Sequence, residues 1–461
     1  MLFDKTFDPF LTDSPISVMA RGALEYALSP EALDAVFKQL AQRQYTRELL
    51  FSTVVDLMSL VVCKKYPSVH SAYQALAERI PVSLTSLYNK LDHVEPNVSA
   101  ALIPYSAKQL GPVIEQMKAS LPPELPGYRL KILDGNHLAA TQHRLKVLRT
   151  TRAAPLPGQA VVVLDPALMQ ATDVIPCEDG HAQERSLAKE ILERVQAGEV
   201  WMGDRNFSTA PILFGIAYKQ AFFLIRQHRR NPSWEPLTEP RRVMRIDTGV
   251  VFEQKVLLRD GPDKTLEARR ITLQLDKPTR DGDTELHILT NLPIYKVGAQ
   301  KVAKLYAKRW TLEHLFQELD LAFKAEIDTL CYPKAALLGF CVGLMTYNIL
   351  SVLKAALRAR WGRAEEKETS CYYLADEISG TYRGMMIAVP TPYWTFFHTL
   401  AASEMAQVLL HLAEKVRMAR FRRHPRGPKK PKPKKKYVSA AEAKAHVSTA
   451  RLLAAAIQTA P

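Results

Sequence analysis

Cysteine is scarce in this chain of 461 residues, and none of its five cysteines belongs to a Cys-x-x-Cys pair. An odd number of scattered cysteines fits neither a disulfide framework nor a cysteine-ligated zinc site. The amino terminus, Met-Leu-Phe-Asp-Lys, also lacks the layout of a signal peptide. The sequence therefore argues against a disulfide-rich secreted protein, and we expect a protein of the reducing cytoplasm.

Long apolar runs are rare as well, and one segment, residues 335–353, is long and apolar enough to imitate a membrane span. It contains Gly339 and Gly343 in the GxxxG spacing of packed membrane helices. The same segment also contains polar side chains such as Asn348 and Ser351, and no second span is present in the sequence. We therefore expect a buried core helix and no contact with a membrane.

Acidic residues are absent from residues 417–436, which contain eleven lysines and arginines. The whole chain has a net charge of +15, so the remainder carries only 15 − 11 = +4. Binding to a polyanion is one interpretation of such a run, because each neutralised phosphate releases counterions. A solvated terminus without a binding role is the other interpretation, and the sequence leaves both open.

With 47% apolar and 24% charged residues, the chain has the composition of an ordinary globular protein and room for several domains. Residues 1–125 show helical periodicity, and residues 69–93 have the outline of a helix-turn-helix with Ser83 as the N-cap of its second helix. DNA reading and simple packing fit this helix pair equally well. A proline-rich linker at 121–127 ends the helical amino-terminal region.

Beyond the linker, strand-like and helical runs alternate, which predicts an α/β fold with a mixed sheet. The predicted strands are 128–133, 144–148, 160–164, 200–203 and 221–226, with a helix at 183–195. Four more strand-like runs, at 242–246, 250–258, 267–275 and 286–290, predict a β-rich insertion. The predicted domains are thus a core formed by 126–230 and 295–360, the insertion at 231–294, a helical region at 361–416 and a basic tail at 417–461.

One short segment, Tyr-Ala-Lys-Arg-Trp-Thr-Leu-Glu at residues 306–313, combines side chains of very different chemistry. On a continuous helix, Tyr306, Arg309, Trp310 and Glu313 would lie on one face because of their spacing. A carboxylate beside an arginine and two aromatic rings is unusual for a helix that only packs. It suits a metal ligand next to a phosphate clamp and a base-stacking surface.

Two aspartates, Asp134 and Asp204, follow predicted strands, and the carboxyl ends of strands carry the sites of α/β sheets. With Glu313 they would form an oxygen-rich site for Mg²⁺ or Mn²⁺. Two such ions, about 3.5–4 Å apart, would activate a water or a 3′-hydroxyl for phosphodiester cleavage. Each aspartate alone fits a turn or cap residue better, so the combination carries the hypothesis.

The Tyr-x₂-Arg-x₃-Glu spacing, together with Asp204 in an Asp-Arg-x-Phe sequence, resembles bacterial insertion-sequence transposases of the DDE superfamily, in the insertion-sequence-four group. The resemblance covers roughly residues 40–360. It implies a ribonuclease H-like core with a β-rich insertion between Asp204 and Glu313. It also implies that Asp134, Asp204 and Glu313 are the catalytic carboxylates and hold two divalent ions, Mg²⁺ or Mn²⁺.

The same resemblance implies a reaction and its partners. We expect metal-dependent nicking at the ends of a mobile element, followed by attack of the freed 3′-hydroxyl on target DNA. The partners would be double-stranded DNA, as terminal inverted repeats and as target, and a second copy of the chain in a synaptic dimer near the nucleoid. Tyr306 and Arg309 would hold phosphates, and Trp310 and Arg205 are further candidates for contact with DNA.

One position departs from the family signature, which places a lysine seven residues after the glutamate. Residue 320 is Asp320 in this chain, and Lys324, one helical turn further on, is the candidate substitute. Two alternatives therefore stay open beside a transposase: a structure-selective nuclease that cuts DNA without joining it, and a non-catalytic DNA-binding relic. Asp320 favours the relic, whereas the complete set of three carboxylates argues against it.

Overall fold

The amino-terminal region of the computed structural model is helical; the model describes residues 3–44, 48–228, 231–279, 282–424 and 446–458. Serines cap three of its helices, because Ser29, Ser68 and Ser83 each accept a hydrogen bond from the N–H three residues later. The helices of this region are α1 (Asp8–Asp13), α2 (Pro15–Ala27), α3 (Pro30–Leu40), α4 (Phe51–Val62), α5 (Val69–Ala75), α6 (Leu84–His93) and α7 (Pro96–Gln116).

The helix pair predicted at 69–93 is present as α5 and α6, and the prediction that Ser83 caps the second helix is confirmed. Within α6, the Lys90 ammonium lies 4.1 Å from the centre of the Phe37 ring of α3. Burial there lowers the pKa of Lys90. Lys90 therefore packs against the neighbouring helix, and the DNA-reading role of the pair stays a prediction.

Strands follow the helical region and form a mixed sheet, as predicted. The described strands are β1 (Arg129–His137), β2 (Ala154–Leu156), β3 (Gln159–Asp165), β4 (Gln170–Cys177), β5 (Glu199–Gly203), β6 (Phe222–Arg226), β7 (Ser233–Pro236), β8 (Arg241–Ile246), β9 (Gly249–Asp260), β10 (Lys264–Leu275), β11 (Glu285–Thr290) and β12 (His446–Ser448).

The main sheet has the order β4-β3-β1-β5-β6-β11-β10-β9-β7, and β8 also pairs with β9. The β1, β5 and β6 strands run parallel to one another, whereas the other pairs in this sheet are antiparallel. The strands predicted for the insertion are present, with β7 in addition. They extend the same sheet, because β11 pairs with β6; the domain boundaries themselves stay a prediction.

The strand predicted at 144–148 is wrong. Lys146–Leu148 forms a 3-10 helix instead, and the Leu148 N–H bonds to the Leu145 carbonyl nearby in the chain. A strand needs a partner for its backbone groups, and here a local turn satisfies them.

Helices cover both faces of the sheet, because alternate residues of each strand point to opposite sides. On β3, Val162 and Leu164 join a large core with α7 and a long later helix, whereas Val161 and Val163 join a smaller core with the two helices beside β5. The helices after β1 are α8 (Ala188–Arg194), α9 (Ala210–Tyr218), α10 (Ala299–Tyr306), α11 (Trp310–Ala322), α12 (Pro333–Trp361), α13 (Arg363–Lys367), α14 (Cys371–Ala388), α15 (Ala402–Lys415) and α16 (Thr449–Gln458).

The apolar segment that imitates a membrane span lies in α12. Among the described residues, α12 alone is both long enough and apolar enough to cross a membrane. Its most apolar 18-residue window is wholly buried inside the protein. Its polar residues have partners in the core. The Asn348 amide exchanges hydrogen bonds of 2.9 and 2.8 Å with the backbone N–H and carbonyl of Ala171 in β4, and donates to Ser106 of α7 at 3.0 Å.

The carboxyl-terminal segment also returns to the body of the protein. The short strand β12 pairs in parallel with β2, and Arg451 of α16 forms an ion pair with Asp179. Upstream, Phe421 is buried in a 3-10 helix, Met418–Phe421. The predicted basic tail is therefore anchored at residues before and after the segment 425–445, which lies outside the described residues.

We expect Asn348→Ala to destabilise the protein, because the substitution leaves the Ala171 backbone groups buried without partners. The loss in free energy of unfolding should be roughly 1–3 kcal/mol. Chemical denaturation followed by tryptophan fluorescence measures it. Asn89→Ala is the control, since Asn89 is exposed on α6, and its effect should stay within about 0.5 kcal/mol. Equal effects of the two substitutions would contradict the bridging role of Asn348.

Candidate active site

Parallel strand pairing brings the two predicted aspartates together. Leu133 of β1 is the register partner of Gly203, the last residue of β5. An aspartate follows each of these two residues, so Asp134 and Asp204 lie side by side where the parallel pairing ends. The expectation that Asp134 follows the end of its strand was wrong: β1 continues to His137, because its other edge still pairs with β3.

The predicted helix face at 306–313 is formed by two helices rather than by one. The first, α10, ends at Tyr306, a 3-10 turn covers Ala307–Arg309, and α11 begins at Trp310. The expectation of a continuous helix was therefore wrong. The tighter turn still directs Arg309 and Glu313 to the same place as Asp134.

The Arg309 guanidinium lies between two of the carboxylates. It donates to Asp134 Oδ2 at 3.0 Å and to Glu313 Oε1 at 2.7 Å. The Arg309 side chain is only 12% exposed, so these charge-assisted bonds are partly shielded from water. Tyr306 is buried beside them, and this burial raises the pKa of its hydroxyl, which Arg309 lowers and Asp204 raises further. The structure thus brings together Asp134, Asp204, Glu313, Tyr306 and Arg309.

Burial dominates the electrostatics of this cluster. It raises the pKa of Asp134 to about 7, with further increases from the nearby charges of Asp204, Glu184 and Glu313 and a decrease from Arg309. Burial also raises the pKa of Asp204, against the opposing effects of the Asn206 N–H and Arg309. In both aspartates the effect of burial on the pKa therefore outweighs that of the nearby guanidinium groups.

Asp204 also has a local structural role. Its Oδ1 accepts a 2.7 Å hydrogen bond from the Asn206 N–H and caps the 3-10 helix Arg205–Phe207. The capping interpretation and the functional one are therefore compatible, since a carboxylate has a second oxygen.

A fourth carboxylate, Glu184, lies at the same place and was not predicted from the sequence. It begins the 3-10 helix Glu184–Leu187 that leads into α8, and the Asn206 amide donates to its Oε2 at 3.1 Å. The predicted helix at 183–195 included Glu184 without any feature that set it apart. The sequence feature that could have indicated Glu184 is Gly135, directly after Asp134. A glycine inside a strand indicates that another group lies close to the backbone there.

The other predicted DNA contacts have different surroundings. Arg205 is exposed beside Asp204 and lines an open groove with His137, Asn206 and His228. The side chain of Trp310 lies outside the described parts of the structure, so its stacking role stays a prediction. In the predicted insertion, the Arg270 guanidinium carbon lies 4.8 Å from the centre of the Trp234 ring.

Lys324 makes its contact away from the carboxylates. Its ammonium donates to the Pro67 carbonyl at 2.9 Å, and its N–H bonds to the Val62 carbonyl. Lys324 thus joins the end of α11 to the amino-terminal helices, and the structure does not bring it to the cluster. Asp320 is exposed on α11, near Lys64.

The oxygen-rich cluster suits a hard divalent cation such as Mg²⁺ or Mn²⁺ in its chemistry. In its geometry, the part of the chain that the structure describes contains no group of three or more His, Cys, Asp or Glu side chains arranged to hold a metal ion. Arg309 lies between Asp134 and Glu313 and supplies the positive charge there. A cation shared by these two carboxylates would have to take the place of the guanidinium.

Comparison with known families gives one match. Residues 128–349 match the model of a family described as a transposase DDE domain. The matched range extends from the start of β1 into α12, and it includes the carboxylate cluster and Arg309. No curated protein matches the chain. The family match supports a transposase of the DDE type.

We expect the charge of Asp134 to destabilise the metal-free protein above neutral pH. A folded-state pKa of about 7 lies above the unfolded value of about 4, so the folded protein binds more protons between these pH values. Its free energy of unfolding therefore falls as the pH rises through this window. At pH 8, Asp134→Asn should raise the free energy of unfolding by roughly 1–3 kcal/mol.

Chemical denaturation in EDTA at a series of pH values measures this effect. Asp263→Asn is the matched control, because Asp263 is exposed in the turn between β9 and β10. The Asp134→Asn profile should be flatter than the profiles of the wild type and the control. Three parallel profiles would contradict the raised pKa of Asp134.

Proposed function

We propose that the protein is a DNA transposase that cuts DNA at the ends of a mobile element and joins the freed 3′-hydroxyl to target DNA. The observation that carries this proposal is the convergence of Asp134, Asp204 and Glu313 at one end of the parallel strands, around Arg309. The family match supports the class of enzyme. The cutting and joining steps are our proposal.

The finer classification rests on topology and spacing. A mixed sheet has one carboxylate on its first strand, a second after a parallel neighbour, and a third on a helix that follows additional strands. This arrangement supports a ribonuclease H-like core. The spacing of Tyr306, Arg309 and Glu313 supports the insertion-sequence-four group.

Asp134, Asp204 and Glu313 would hold the two divalent ions, Mg²⁺ or Mn²⁺. Bound ions of this kind lower the pKa of the attacking water or 3′-hydroxyl and stabilise the leaving oxygen of the phosphodiester. Burial and mutual repulsion hold the pKa of Asp134 near neutrality, so Asp134 would release its proton as the site becomes occupied. Metal affinity should therefore increase with pH near neutrality.

Arg309 would change partners during this process. In the structure it binds Asp134 and Glu313, which are the side chains that the ions require. After losing these partners, its planar guanidinium would hold a DNA phosphate through two parallel hydrogen bonds. The buried Tyr306 hydroxyl beside it would position the same phosphate.

The proposed partners are double-stranded DNA, as element ends and as target, and a second copy of the chain in a synaptic dimer. Arg205 and the groove beside it would contact the DNA next to the cut, and Trp310 would stack on a base. Helix α6 and the basic run at 417–436 would add contacts outside the site. The reaction would take place in the bacterial cytoplasm.

We expect Glu313→Gln to keep binding to element ends and to lose Mg²⁺-dependent cleavage, because the amide removes a charged ligand without changing the shape of the side chain. Cleavage of a duplex made from the DNA that flanks the reading frame should fall by at least about 100-fold. Glu193→Gln is the control, since Glu193 lies on α8 and pairs with Arg194. Undiminished cleavage by Glu313→Gln would remove Glu313 from the mechanism.

A strand-transfer assay with pre-cleaved ends separates the transposase from a nuclease on the same fold. A transposase joins such ends to target DNA and yields a covalent product, whereas a nuclease yields none. A protein that binds the ends but neither cuts nor joins them would be the non-catalytic relic.

We expect the lysine-rich run to contribute non-specific affinity for DNA. Truncation would also remove buried Phe421 and strand β12, so substitution is the better test. Replacing six lysines by glutamine should make the fall of the DNA association constant with salt less steep. The slope of its logarithm against log salt concentration should shrink by about 0.9 for each phosphate that these lysines neutralise. The same lysines replaced by arginine are the control. An unchanged slope would leave the run without a role in DNA binding. The lysines are Lys429, Lys430, Lys432, Lys434, Lys435 and Lys436.

A further inference from the structure

Glu184 is held against the catalytic carboxylates by contacts on two sides. Its Oε2 accepts a 3.1 Å hydrogen bond from Asn206, which also donates its backbone N–H to Asp204. Its carboxylate also lies over Gly135, the residue directly after Asp134. Asn206 therefore fixes the positions of Glu184 and Asp204 relative to each other.

Gly135 supplies the space that Glu184 occupies. A Cβ atom built on Gly135 would lie 2.0 Å from Glu184 Oε1 and 2.4 Å from its carboxyl carbon. Gly135 lies within β1 and pairs with Val161, so its backbone is that of an ordinary strand. Glycine weakens a strand interior, and here its backbone conformation does not call for it. Any side chain at this position would have to displace the Glu184 carboxylate, which occupies that space.

Within the described part of the chain, the Glu184 carboxylate has a neutral hydrogen-bond partner and no ion pair. That partner is the Asn206 amide, which donates to Glu184 Oε2. A partly buried carboxylate beside other carboxylates is costly unless a cation neutralises it. Four carboxylates carry four negative charges, which two divalent ions would balance after Arg309 has moved to a DNA phosphate.

We propose that Glu184 is a fourth carboxylate of the metal site and gives an oxygen ligand to a divalent ion held by Asp134 and Asp204. This inference rests on the proposed function, because it assumes that the cluster binds metal ions. Asn206 orients the Glu184 carboxylate, and Gly135 makes room for it. The site therefore draws its ligands from β1, β5, α11 and the turn before α8.

The test is Mn²⁺ binding to the full-length protein, measured by calorimetry and by the loss of the free Mn²⁺ signal in electron paramagnetic resonance. Glu184→Gln should weaken Mn²⁺ binding by at least 10-fold and keep the shape of the side chain. Glu193→Gln, on the same helical segment but outside the site, should bind as the wild type does. Glu313→Gln reports on the proposed function separately.

The outcomes distinguish the two proposals. Unchanged affinity in Glu184→Gln, together with weaker binding in Glu313→Gln, would overturn the role of Glu184 and leave the transposase site standing. If the wild type binds no Mn²⁺, or if neither substitution weakens binding, the metal site and the proposed function both fail.

A second pair of variants tests the space at Gly135. Gly135→Ala should displace Glu184 and weaken Mn²⁺ binding, whereas in a Glu184→Ala background the same substitution should have no further effect. Independent, additive losses would contradict the contact. Melting temperatures in EDTA monitor folding: Glu184→Gln should melt at or above the wild-type temperature, because it removes repulsion. A lower melting temperature with unchanged Mn²⁺ affinity would assign Glu184 to folding alone and overturn the proposal.

Discussion

The confinement of several partly buried carboxylates at the end of two parallel strands is the constraint on which the candidate site depends. Pairing of Leu133 with Gly203 places Asp134 and Asp204 side by side, and the fold adds Glu313 from the helix after the insertion. Arg309 is the cation that the fold itself supplies to this cluster, and it binds two of the carboxylates at once. A cation shared by Asp134 and Glu313 would therefore have to replace their hydrogen bonds to Arg309. Binding of ions and release of Arg309 toward DNA would therefore be coupled events.

The packing around this cluster holds the carboxylates close together. Helices pack on both faces of the sheet, and the apolar helix α12 is buried between β4, α7 and the amino-terminal helices. Asn348 joins three of these elements through hydrogen bonds at their centre. A rigid support of this kind keeps charged side chains close together when they would separate in a softer structure. The arrangement of the site therefore depends on the stability of the core.

The sequence predicted those features that depend on local pattern. Alternating apolar residues indicated most of the strands, and the spacing around Glu313 indicated the side chains that the structure brings to Asp134. Features that depend on distant partners were missed. The 3-10 turn before α11, the continuity of the insertion with the main sheet and the contact of Lys324 with Pro67 all require knowledge of which segments meet. Glu184 was missed for the same reason, since its relation to Asp134 passes through a glycine on another strand.

The pairing of β11 with β6 has a mechanical consequence. Because β6 also pairs with β5, an unbroken ladder of backbone hydrogen bonds runs from the strand that ends beside Asp204 to the outermost strands of the insertion. The insertion is thus a continuous extension of the core sheet and is not joined to it by a hinge. Any DNA that contacts both regions would therefore meet a single continuous sheet, and the DNA would be the more deformable partner.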